Sequence, residues 1–172
     1  VVKSQVSQIK KFLKEVINLY KKYDFSLTEE KWSWQELLFG LENKIIEKKD
    51  IINYATHILE EDIQGFDLVL KIAIADEHED IVSYLHELCY LETPEQDSFI
   101  KDKWRYVLLK ELYKQRANID NFNGKVEEIY ADFDYPEDMA GFIGYMPSIE
   151  GKSMDESWQE YLKNAKDKFE SY

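Results

Sequence analysis

A chain of 172 residues with 44% hydrophobic and 15% aromatic residues can bury roughly two thirds of the surface its unfolded form exposes, and it is too apolar for disorder despite 33% charged residues. Three prolines and six glycines, scattered along the chain, argue against a β-sandwich or barrel with its many turns; a single cysteine, Cys89, excludes an internal disulfide and a Cys-rich zinc site. The net charge of −13 is unevenly spread: residues 1–23 carry +5, 24–98 carry −14, 99–116 carry +4 and 117–172 carry −8.

Such acidity repels nucleic acid and anionic lipid and speeds encounter with a basic protein. Acidity that only keeps a protein soluble is the plain alternative. Residues 3–23 place Val6, Ile9, Phe12, Leu13, Val16, Ile17 and Tyr20 at spacings of three and four with lysines opposite, which predicts a basic amphipathic helix within 1–25. In "SLTEEKWSWQELLFG", Ser33 and Glu36 form a capping box ahead of Leu37, Leu38 and Leu41, with Gly40 allowing a close helix contact. A second helix runs through Ile51, Ile52, Ala55, Ile58 and Leu59, so the two predict a short αα-hairpin. The plan recurs in "FDLVLKIAIADEHEDIVSYLHELCYL", with 76–80 as the turn or the start of the second helix.

Thr93 and Pro94 read as an N-cap and first-turn proline, or equally as a loop leading to a helix over 98–117 that buries Ile100, Trp104, Val107, Leu108 and Leu112. "NGKVEEIYADF" is a helix with Val126, Ile129, Tyr130 and Phe133 inward; Pro136 opens another short one. Ser153 and Glu156 make a second capping box in front of Trp158, Tyr161, Leu162 and Ala165. The sum is one all-α domain over 1–172, with about eight helices in consecutive αα-hairpins. Its form is a compact stack, HEAT-like, or an orthogonal bundle. The absence of a signal-peptide core or a ~20-residue apolar span predicts a cytoplasmic protein.

Chemistry is sparse. His57, His78 and His86 fit no metal-binding spacing, and "DEHED" at 76–80 offers donors that point in different directions, as in a solvated turn. His86 and Cys89 stand three apart on one helix, yet nothing supplies an orienting acid or an oxyanion hole. Gly141 and Gly144 lack the strand and third glycine of a dinucleotide loop, and Trp32 and Trp34 read as packing anchors. The aromatics and cations of 99–116 would suit nucleic acid but for the adjacent acid. No catalytic residue, metal or cofactor is expected.

The richest stretch is "EEIYADFDYPEDMAGFIGYMP" at 127–147, with six carboxylates among five aromatics. One reading places its acids at a helix start, satisfied by the dipole. The other is an acidic, tyrosine-bearing contact surface made of Asp132, Asp134, Tyr135, Glu137, Asp138 and Tyr145, with Glu77, Glu79 and Asp80 as a second candidate patch.

Together with "LTEEKWSWQELLFGLENKII" and "DKWRYVLLKELYKQR", that stretch resembles the bacterial domain of unknown function 2247 family (DUF2247) from about Ser26 to Glu150, leaving 1–25 and 151–172 as flanking helices. The resemblance brings no catalytic motif. Proteins of this kind resemble the small acidic immunity proteins of polymorphic and contact-dependent toxin systems. That implies a non-enzymatic inhibitor binding the C-terminal toxin domain of a cognate effector one to one, a nuclease with a basic cleft being the natural target, with no nucleic-acid or membrane partner. In that picture Asp134→Lys with Asp138→Lys weakens toxin binding and leaves melting nearly unchanged. A helical-repeat scaffold for an unrelated protein partner is the alternative; a metal-dependent hydrolase using His78 is a third.

Overall fold

The computed structural model describes residues 26–76, 78–149 and 151–170. The predicted basic helix of 1–25 and the candidate Glu77 lie outside the described residues. The protein is all-α: the described residues form seven α-helices and three 3-10 turns. The chain divides between Glu95 and Gln96 into two compact units.

The first unit holds a 3-10 turn at Leu27–Glu29 and helices α1 (Trp34–Glu42), α2 (Lys48–Ile58), α3 (Phe66–Ala73) and α4 (Val82–Leu91). The Ser33 capping box forms as its spacing predicts: Ser33 Oγ accepts from the Glu36 amide at 3.1 Å, and Glu36 Oε2 accepts from the Ser33 amide at 2.8 Å. A second support comes from far along the chain. The Glu92 carboxylate, at the C-cap of α4, accepts from the Trp34 amide at 2.7 Å and the Gln35 amide at 3.0 Å. Two otherwise orphaned donors at the positive end of α1 are thereby satisfied by an anion.

This tie changes the predicted pairing. Helix α1 packs on α4, while α2 packs on α3 and α3 on α4. The α3–α4 pair thus matches the predicted hairpin, whereas α1 and α2 are not packed as one. The reason lies between them: Lys44 takes a left-handed φ of 57°, and Ile45 and Ile46 are themselves buried, so the connection fills core space. Trp32 and Trp34 are buried packing residues, and the Tyr54 hydroxyl accepts from the Trp32 amide at 2.9 Å. Gly65 is required where it stands, because its φ is 74° and an added Cβ would meet Leu88 Cδ2 at 2.6 Å.

The second unit holds α5 (Asp97–Gln115), a 3-10 turn at Arg116–Asn118, α6 (Phe122–Asp132), a 3-10 turn at Glu137–Phe142, and α7 (Met154–Phe169). The start of α5 follows the loop reading of "TPEQDS": Glu92 and Gln96 stay extended, so Thr93 and Pro94 do not cap it. Pro136 is likewise the extended N-cap of its 3-10 turn, not the first residue of a helix. Helix α5 is central to this unit, with α6 and α7 both packed on it and every residue from Trp104 to Leu109 buried. Trp158 of α7, behind its Ser153–Glu156 capping box, stacks with Phe142 (4.9 Å, 20°) and Phe122 (5.1 Å, 15°) and so joins three elements.

Candidate functional site

The 127–147 stretch begins as the last turns of α6, where Val126, Ile129 and Tyr130 face the core. The helix closes in a Schellman motif: the Asp134 amide donates to the Ala131 carbonyl at 3.2 Å and the Tyr135 amide to the Tyr130 carbonyl at 2.8 Å. Glycine normally occupies the left-handed position of that motif. Here Asp134 (φ 63°) and Tyr135 (φ 57°) are both left-handed, two non-glycine residues in succession.

The consequence is a projecting aromatic. Tyr135 is 61% exposed and meets the buried Tyr130 ring edge-on at 5.2 Å; Tyr145, also 61% exposed, lies 6.5 Å from the same ring. Partial desolvation, with Glu127 and the neighbouring tyrosines adding, pushes the Tyr145 hydroxyl up and keeps it a neutral donor. The structure thus brings Tyr135 and Tyr145 together around one buried ring.

The carboxylates of the stretch have different surroundings. Asp132 is exposed at the end of α6, and exposed Asp134 pairs with Lys101 of α5. Asp138 holds the buried Arg105 at 2.8 Å, which also reaches Asp102 at 3.2 Å. The Glu137 side chain makes no hydrogen bond or ion pair among the described residues and stands exposed at the start of the 3-10 turn. Asp138 is therefore a structural anchor as well as a surface acid. Replacing it with lysine would set a cation against buried Arg105, so the expectation that Asp134→Lys with Asp138→Lys leaves melting unchanged is corrected.

The second candidate patch serves its own turn. Asp76 accepts from the His78 amide at 2.9 Å, Glu79 from the Asp76 amide at 3.3 Å, and Asp80 from the Val82 amide at 3.0 Å at the entry to α4. These exposed carboxylates stitch backbone donors that would otherwise be orphaned. The two patches belong to different compact units.

Elsewhere, burial, with Glu92 and Glu42 adding, pushes the Cys89 thiol up to about 12, which leaves almost no thiolate at neutral pH. Among the described residues no group of three or more His, Cys, Asp or Glu side chains is placed to hold a metal ion, and no helix is long and apolar enough to cross a membrane. Sequence reasoning missed Arg105 and Lys101 as partners of the acidic stretch. The one local signal was the Asp102–Arg105 spacing of three on a single helix.

Residues 23–166 match the model of DUF2247, described as an uncharacterized protein conserved in bacteria. The chain belongs to this family. The match extends past the stretch that carries the resemblance at both ends and takes in most of α7, so in this DUF2247 chain the Trp158 aromatic stack and the acidic corner both fall inside the family region. No curated protein and no solved structure matches the chain.

Proposed function

We propose that this DUF2247 protein is a non-enzymatic immunity protein that binds a basic toxin domain of a cognate bacterial effector one to one and covers its active site or substrate entry. The observation that carries the reading is the pair of left-handed residues at the end of α6. Asp134 and Tyr135 adopt a conformation that glycine would adopt at lower cost, and the result is an exposed tyrosine rather than a tighter turn. Backbone strain of that kind is retained where a side chain is needed at the surface, and tyrosine is among the strongest interface anchors.

Tyr145 beside it, exposed Glu137 and the net charge of −13 supply anchor area and attraction for a basic partner. The test is rescue. A sensitive bacterium expressing the C-terminal toxin domain of the proposed cognate effector should grow when this chain is co-expressed. It should stop growing when the chain carries Tyr135→Ala and Tyr145→Ala with its helical content intact. Full protection by the double variant would remove this corner from the interface; no protection by the natural chain would overturn the reading.

A further inference from the structure

One carboxylate of the acidic stretch has neither open water nor a partner. Glu127 of α6 is half-buried, and its side chain makes no hydrogen bond or ion pair among the described residues. It stands one turn before Tyr130 on the same face of the helix, and its Oε1 lies 3.8 Å from where a Cβ would stand on Gly144, the residue before Tyr145. The Tyr130 ring in turn holds Tyr135 edge-on at 5.2 Å and Tyr145 at 6.5 Å. Three phenol rings and one carboxylate therefore share a small area of surface, and Glu127, Tyr130 and Tyr135 all act electrostatically on the Tyr145 hydroxyl. A partner can reach the group, because Tyr135 and Tyr145 are both exposed.

Aromatic faces attract Lys or Arg held within about 6 Å of the ring centre. The other described tyrosines of the second unit each take such a cation from the chain itself: Lys110 lies 5.1 Å from the Tyr106 ring, Arg116 3.9 Å from Tyr113 and Arg105 5.7 Å from Tyr161. Tyr130, Tyr135 and Tyr145 take none. Among the described residues no Lys or Arg lies over their rings, and Lys101, the cation joined to this stretch, is spent on Asp134. A partner that covers Tyr135 and Tyr145 also takes water away from Glu127. Covering an unpaired carboxylate is costly, and an apolar or anionic group leaves that cost in place or adds to it. A side-chain cation offsets it and meets the ring faces in the same contact.

We infer that Glu127, Tyr130, Tyr135 and Tyr145 form a receptor for one side-chain cation, a lysine or arginine, of a basic protein partner. The partner rests on the proposed function; the site is tested without it. The Gly144 and Tyr145 amide resonances of the full chain are followed in nitrogen-15 spectra during titration with N-acetyl-lysine methylamide and N-acetyl-arginine methylamide. N-acetyl-norleucine methylamide, which keeps the stem and lacks the charge, and N-acetyl-glutamate methylamide are the comparisons. Saturable movement by a cationic probe, tighter than by either comparison, is the expected result, and the tighter of the two cations names the ammonium or the guanidinium as the recognised group. Glu127→Gln removes a charge that no residue of the chain pairs with, so the fold is kept, and it should weaken binding of the cation roughly three- to fivefold. Tyr145→Leu, at an exposed position, should weaken it by roughly twofold or more. Resonances unmoved by both cations, norleucine binding as tight as theirs, or undiminished binding by Glu127→Gln would overturn the inference. Rescue of growth without cation binding would overturn this site alone, and cation binding without rescue would support the site and overturn the toxin reading.

Discussion

Asp134 is the residue where stability and the proposed function pull apart. Its left-handed backbone favours glycine, while its side chain contributes a largely exposed ion pair with Lys101 of small worth. Asp134→Gly should therefore raise stability by about 0.5 kcal/mol, read as a small upward shift in Tm, and at the same time weaken the proposed toxin binding. A less stable variant would contradict the strain argument, and unchanged binding would contradict the functional one. Trp158 is the opposite kind of residue, buried between Phe142 and Phe122 with no surface to offer. Trp158→Ala should cost about 3–5 kcal/mol in urea unfolding, and a loss below 1 kcal/mol would show that the stack does not hold the elements together. Sequence spacing marked Trp158 as inward. It could not mark Asp134, because left-handed backbone at a non-glycine residue has no signature in residue type alone.

Among the elements, α1 has its start capped from far along the chain. Glu92→Ala removes the carboxylate that accepts from the Trp34 and Gln35 amides and should destabilise the protein by about 1–2 kcal/mol in urea titration. Glu92→Gln, which keeps an acceptor, should lose less; equal losses would mean that burial of the side chain, not capping, is what matters. The capping boxes at Ser33 and Ser153 were legible because both partners lie three residues apart. The Glu92 cap was not, since it bridges 58 positions, and it overturned both the α1–α2 hairpin and Thr93 as a cap by holding the following segment extended. Alkaline pH probes α2. Burial pushes the Tyr54 hydroxyl up, against the opposing hydrogen bond with Trp32. A raised folded pKa means this contribution is complete below the unfolded value near 10 and is lost as pH rises through the folded value. Stability should fall above about pH 10, and Tyr54→Phe, lower in stability at neutral pH, should fall less steeply over that range.

On the scale of the whole molecule, charge is the feature composition made plain and whose use only the structure resolves. The basic segment 99–116 looked available for a partner, but much of it is spent internally: Lys101 on Asp134, Arg105 on Asp138 and Asp102, Lys110 on Glu170, and Lys114 on Glu111. The paired cations of α5 leave acidic and aromatic groups as the distinctive outward chemistry of the second unit. Helix class was readable from periodicity and from the few glycines and prolines. The pocket of the second unit was not, because its lining comes largely from α5, the 3-10 turn and α7, and only packing brings those side chains to one cavity.

The most direct measurement is titration calorimetry of this chain with the C-terminal toxin domain of the proposed cognate effector, at low and at moderate salt. An immunity protein of this charge should bind one to one, more weakly at moderate salt, where exposed charges are screened beyond about 10 Å. Absence of heat at both salts, with both proteins folded, would contradict it.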